Sequence, residues 1–184
     1  MFKSIFGFGR RSNLEVTDAL YGQIVAAARQ PVFYAEWGVQ DTPIGRYEML
    51  SLHFFLFLER ARGSSEALSG IAQELTDEFF KDLDHSLREF GIGDTSVPKR
   101  MKKLARMFYG RAEAYREAVA ASDDAAFAAA IARNVSPDRE SWPESTHIAA
   151  YAVRQLQHLN TQSEADILSG KIDFMPAIGG EMQK

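Results

Sequence analysis

Cysteine is missing from all 184 residues. Its absence excludes disulfide scaffolds, thiolate metal sites and thiol nucleophiles. Long apolar runs are missing too. The densest, Met49 to Leu58, is broken by His53 and is far shorter than the roughly 20 residues a membrane span needs. The start lacks the apolar core and small-residue cleavage site of a secretory signal. Gly7-Phe8-Gly9 lacks the strand and helix that would make a phosphate loop of it. No serine sits in a G-x-S-x-G setting, and Ser69-Gly70 and Ser169-Gly170 read as helix-end pairs. Net positive charge is lacking as well: the formal value of −4 argues against a dedicated DNA binder, which needs basic surface for phosphates.

What is present fits one soluble globular domain, 46% hydrophobic and 25% charged. Every strongly patterned segment repeats with helical period, so an all-α, single-domain antiparallel multi-helix bundle is expected. Residues 1–12 read as a flexible basic and aromatic segment, 13–170 as the helical domain, and 171–184 as a loosely ordered tail with Pro176 and Gly179-Gly180. Asn13 is the expected N-cap of a first helix reaching about Arg29, and Pro31 starts a short aromatic turn. Residues 38–45 read as loop. From Arg46 to Arg62 the chain is apolar nearly all round, which marks the central helix of the bundle. Ser64 or Ser65 opens a helix to Phe90, where Gly91 fits a left-handed cap. Ser96 caps the next, with Pro98 in its first turn. An alanine-rich helix follows Ser122 or Asp123. Ser141 and Glu144 have capping-box spacing for a seventh element, and a last short helix follows Ser163.

Two spacings invite a metal reading. Asp82 with His85, and Glu144 with His147, stand three apart, the carboxylate-x-x-His spacing of di-iron bundles. Glu48 or Glu59, together with Glu15, would have to complete the set. Against that, Glu144 is explained by capping and the Asp82 face is heavily charged, so no metal or other cofactor is expected. His53, alone in the apolar helix, reads as a buried imidazole bonded to a neighbouring carboxylate or carbonyl.

Charge distribution is more informative. Between Lys99 and Arg116 seven positive side chains face one acid, leaving +6, whereas residues 64–90 hold seven acids against Lys81 and Arg88, leaving −5. At 100° per residue Lys99, Lys102, Lys103 and Arg106 share one face, with Arg100 and Arg111 flanking them. Either the two helices pair their charges, or both faces are simply solvated, or the basic face docks an acidic partner, RNA or an anionic lipid surface. At the N-terminus Phe2, Ile5, Phe6 and Phe8, set among Lys3, Arg10 and Arg11, are candidates for contact with an anionic membrane.

Several separate motifs carry a family resemblance over roughly residues 18–160. They are Gly45-Arg46 with Leu52-His53, Leu87-Arg88-Glu89 leading to Gly91-Ile92-Gly93-Asp94, Lys99-Arg100-Met101-Lys102, and Phe108-Tyr109-Gly110-Arg111. In these the chain resembles the ubiquinol–cytochrome c chaperone family, which includes the mitochondrial assembly factor for cytochrome b of the bc1 complex, and it looks like a bacterial member. The resemblance implies a non-enzymatic helical chaperone, with cytochrome b or nascent bc1 subunits as partners. A small partner protein and the ribosome's exit region are further partners in the mitochondrial members. It also implies a cytoplasmic protein, peripheral on the inner face of the inner membrane. Arg46, His53, Gly91, Gly93, Asp94, Tyr109 and Gly110 are its structural positions. A di-iron-like enzyme and an RNA- or ribosome-binding module are the alternatives.

Overall fold

A computed structural model of the chain describes residues 5–89, 91 and 96–179, with side chains from residue 13 onward. Among the described residues there are helices and no strands: α1 (Ile5–Ala28), α2 (Pro31–Ala35), α3 (Pro43–Ala61), α4 (Glu66–Glu89), α5 (Val97–Ala120), α6 (Asp124–Val135), α7 (Ser145–Thr161) and α8 (Glu164–Leu168). The apolar helix α3 is the hub, packed against α1, α4, α5, α6 and α7. Phe54, Phe55 and Phe57 are all fully buried on it, each stabilising the fold by about 1.5–3 kcal/mol relative to exposure. Phe54 stacks on Phe79 of α4 at 4.7 Å and meets Phe108 of α5 at 5.7 Å, so one ring staples three helices.

The N-terminus of α3 shows how local chemistry sets an element. Thr42 accepts the Gly45 N–H at 3.2 Å, and Pro43 follows in the first turn, where its missing N–H costs nothing. Helix therefore begins at Pro43, three residues earlier than the expected loop allows. Gly45 is obligatory there, because a Cβ would lie 1.9 Å from the Gln40 carbonyl oxygen. At the other end Gly63 adopts φ +70°, and Arg60 donates to the carbonyls of Leu159 and Gln162 at 2.9 and 2.8 Å, capping α7 from α3.

Three expected caps are corrected. Asn13 lies inside α1 rather than before it, since the helix starts at Ile5, and its amide reaches Glu74 at 3.4 Å. Ser96 precedes α5 but makes no side-chain cap bond. Ser141 and Glu144 form no capping box: turns closed by Ser145 N–H to Trp142 O and Thr146 N–H to Pro143 O carry the chain into α7 instead. Asp123 and Ser163 do cap α6 and α8, accepting from Ala126 and Asp166. Residues 171–179 are likewise more firmly held than the expected loose tail, with Ile172 and Ala177 buried. Phe2, Gly93 and Asp94 lie outside the described residues, as do the side chains of Ile5, Phe6 and Phe8.

Candidate functional site

The structure separates the interior polar groups from the surface ones. His53 is completely buried. Its Nδ1 lies 2.8 Å from the Met49 carbonyl oxygen and so donates, which leaves Nε2 to accept from the Tyr151 hydroxyl at 2.9 Å. Desolvation pulls its pKa down to about 4, so the ring is neutral at physiological pH. Both nitrogens are spent on the fold.

The residues of the metal reading do not converge. Asp82 accepts from Tyr21 at 2.9 Å, tying α4 to α1, and His85 faces Glu89 on its own helix at 3.2 Å. His147 packs against Trp37, with ring centroids 6.0 Å apart. Among the described residues no three His, Asp or Glu side chains gather as a metal would require.

On α5, Lys99, Arg100, Lys102, Lys103 and Arg106 are all exposed. Among the described residues none of the five forms an ion pair with α4, where Glu78 pairs with Lys81 and Asp84 with Arg88 on the same helix, and Glu74 and Asp82 bond to α1. Arg111 behaves differently from its expected place beside that face. It is buried and bonds Glu48 of α3 at 2.5 Å, with its guanidinium over the Tyr47 ring at 5.7 Å. Five residues past Arg106, helical rotation carries it from the wet side of α5 to the side that meets α3.

The Glu48–Arg111 pair is incompletely satisfied. Glu48 Oε2 and Arg111 Nε and Nη1 are buried without partners, as is Ser51 Oγ. Burial raises the Glu48 pKa to about 7 although Arg111 works against it. Glu48 also borders a groove of about 390 Å³ between the start of α3, the end of α4 and the first turns of α5. Ile44, Leu83, Leu87, Leu104 and Met107 give that groove its apolar wall, and Arg100 and Lys103 of the basic face stand along it. Ile44 is 70% exposed, among the most exposed large apolar side chains of the described residues. A second, more polar depression of about 550 Å³ adjoins it through Pro43, Tyr47, Leu83 and Ser86, and adds Arg29 and Arg46. Arg46 is engaged there by Asp41 at 2.6 Å.

The remaining motif positions divide by role. Gly91 takes φ +74°, a conformation that favours glycine at a helix end. Tyr109 is 53% exposed and leans on Phe80 of α4 with centroids 6.1 Å apart. Nothing in the structure demands glycine at Gly110, where an added Cβ would meet open space.

The described surface thus carries an apolar groove with exposed Arg100 and Lys103 along one side. The ubiquinol–cytochrome C chaperone family model matches residues 35–174. The chain belongs to the ubiquinol–cytochrome c chaperone family. Among solved structures it is similar to the Cbp3 homolog from Brucella abortus, 51% identical, with 96% of this chain and 98% of that one covered and a TM-score of 0.89. A comparison with curated proteins gave no match. The helical bundle and the chaperone role thus stand together. Among the described residues no helix is long and apolar enough to cross a membrane.

The groove is what the sequence did not locate. Glu48 drew attention there as an iron ligand, and Arg111 as a surface charge and as a residue of the Phe108-Tyr109-Gly110-Arg111 motif. The available signal was a lone carboxylate in a run of apolar residues, which needs a buried cation from elsewhere.

Proposed function

We propose that this ubiquinol–cytochrome c chaperone is a non-enzymatic assembly factor that shields an apolar segment of newly made cytochrome b before it enters the bc1 complex. The observation that carries the reading is the groove of α3, α4 and α5, with exposed Arg100 and Lys103 along it. Apolar walls supply affinity by removing client surface from water. These exposed cations favour a client segment flanked by acidic residues, and they chiefly set association rate and specificity. Work at the surface of the inner membrane follows from such a client.

The test is capture from native membranes with tagged protein. Wild type is expected to enrich cytochrome b. A variant with Leu87→Glu and Leu104→Glu is expected to lose it through the groove. A variant with Glu at Lys99, Lys102, Lys103 and Arg106 is expected to bind more slowly and lower bc1 accumulation while keeping its melting profile. Equal enrichment by all three proteins would reject the groove. Loss of RNA rather than cytochrome b from the charge-reversed protein would favour the RNA-binding alternative.

A further inference from the structure

Past α8 the chain runs back over α1 and α7 without helical structure, and glutamines hold it by its backbone. Gln162 donates to the Asp173 carbonyl at 2.6 Å and accepts the Asp173 N–H at 2.9 Å. Gln155 does the same for Met175, at 2.8 and 3.0 Å. Gln30 accepts the Ala177 N–H at 2.6 Å. The residues read are 173, 175 and 177. In an extended chain the N–H and C=O of alternate residues point to the same edge. Three side-chain amides therefore stand where the edge of a neighbouring strand would stand. Gln23 works on the alternate register, accepting the Ile172 N–H at 2.9 Å and donating to the Gly170 carbonyl at 2.8 Å. Pro176, which has no N–H, falls at a position where the ladder asks for none.

Side chains add to these main-chain bonds: Asp173 pairs with His158 of α7 at 2.8 Å, and Phe174 packs on His53 with ring centroids 5.7 Å apart. Of residues 171–179, Ile172 and Ala177 are the buried hydrophobic ones, while Asp173, Pro176 and Ile178 are exposed. A shallow depression of about 470 Å³ runs beside Phe174 and Pro176 against Ala26 and Ala27, leaving room for larger side chains than those present. Residues 172–179 lie beyond α8 and beyond the Lys171 N–H that closes its end on Asp166, so they can lift away without breaking a helical turn.

We propose that the glutamine track of Gln23 on α1, Gln30 just past its end, Gln155 on α7 and Gln162 at its C-cap is a binding site for an extended polypeptide segment, that residues 171–179 occupy it as a stand-in, and that an unfolded stretch of a client takes their place. Main-chain bonds provide affinity, as in strand addition to a sheet edge, and the places of Ile172 and Ala177 ask for an aliphatic and a small residue five apart. The site lies along α1 and α7 and the residues just past their ends, away from the groove of α3, α4 and α5. The proposal rests on the chaperone reading only for the identity of the client.

The probe is a fluorescein-labelled synthetic peptide of residues 170–179, titrated by anisotropy into the purified full chain. Wild type is expected to bind it in competition with its own segment. The Ile172→Ser protein, whose segment is weakened while every glutamine remains, is expected to bind at least about tenfold more tightly. Ala177→Asp, loosening the other anchor, is expected to act in the same direction. A peptide carrying Pro in place of Met175 should bind at least about tenfold more weakly, because it lacks a donor the ladder uses, whereas Ala in place of the exposed Ile178 should be tolerated. No binding by wild type or either release variant, or equal binding of the Pro-shifted peptide, would overturn the proposal. Unfolding of both release variants would overturn it too, by making the segment part of the core. Failure to capture cytochrome b would count against the function proposed above while leaving this peptide measurement intact.

Discussion

His53 and Glu48 lie five residues apart on α3, and both are polar groups with almost no exposure. His53 has a partner for each ring nitrogen. Glu48 has Arg111 for one oxygen and nothing for the other, and Arg111 itself keeps two buried nitrogens without partners. The first is a closed arrangement that joins α3 to α7. The second is an open one that joins α3 to α5 and borders the groove. Burial is common to both; what differs is unspent bonding capacity, which at Glu48 lies beside a cavity.

The largest expected effect comes from breaking the open arrangement. Arg111→Leu leaves the Glu48 carboxylate buried without its cation and should cost about 3–5 kcal/mol in denaturant unfolding. Adding Glu48→Leu in the same chain should recover most of that loss. A double variant no more stable than the single one would mean the pair's cost lies elsewhere.

pH sharpens the contrast, because the two groups act with opposite sign. The folded pKa of His53, about 4, is below its ordinary 6.5. Its contribution is present above pH 6.5 and is lost as pH falls toward 4, where the unfolded chain binds the proton. The folded pKa of Glu48, about 7, is above its ordinary 4.5, so its protonated form favours folding below pH 4.5 and that advantage is lost as pH rises through 7. Each is of the order of 3 kcal/mol across its window, and between pH 4.5 and 6.5 the slopes oppose. Glu48→Gln should therefore give stability that climbs from pH 4 to 6.5, and His53→Gln stability that declines from pH 4.5 to 7. Parallel pH profiles for the two variants would remove the distinction.

At neutral pH, His53→Gln should cost about 1–3 kcal/mol, since Tyr151 or Met49 loses its partner. The smallest effect belongs to the surface: Arg46→Ala, which breaks an exposed pair with Asp41, should leave thermal unfolding unchanged within error. A large drop in melting temperature would show that this family-like position supports the start of α3.

The helical class and the central place of α3 were legible because an all-apolar face has one stable destination, the middle of a bundle. His53 as a buried, bonded imidazole followed from the same run. The exposed basic face of α5 was legible from helical periodicity, although its want of ion pairs with α4 was not. Caps were less readable: Asn13 has a capping side chain but sits inside α1, and Ser141 with Glu144 has the right spacing for a box that turns at Trp142 and Pro143 displace. Cap chemistry permits a helix start without compelling one.

By itself the sequence determined the elements and their buried stripes, because period and apolarity are local properties that survive without knowledge of neighbours. Its strings of separate motifs also sufficed for the family. Tertiary structure alone decided that Arg111 turns inward to Glu48, 63 residues away in sequence, that the groove opens where α3, α4 and α5 converge, and that Gln155 and Gln162 face the backbone of residues 173 and 175. Those outcomes depend on which faces of distant helices meet, and a buried charge or amide takes whatever partner that meeting supplies.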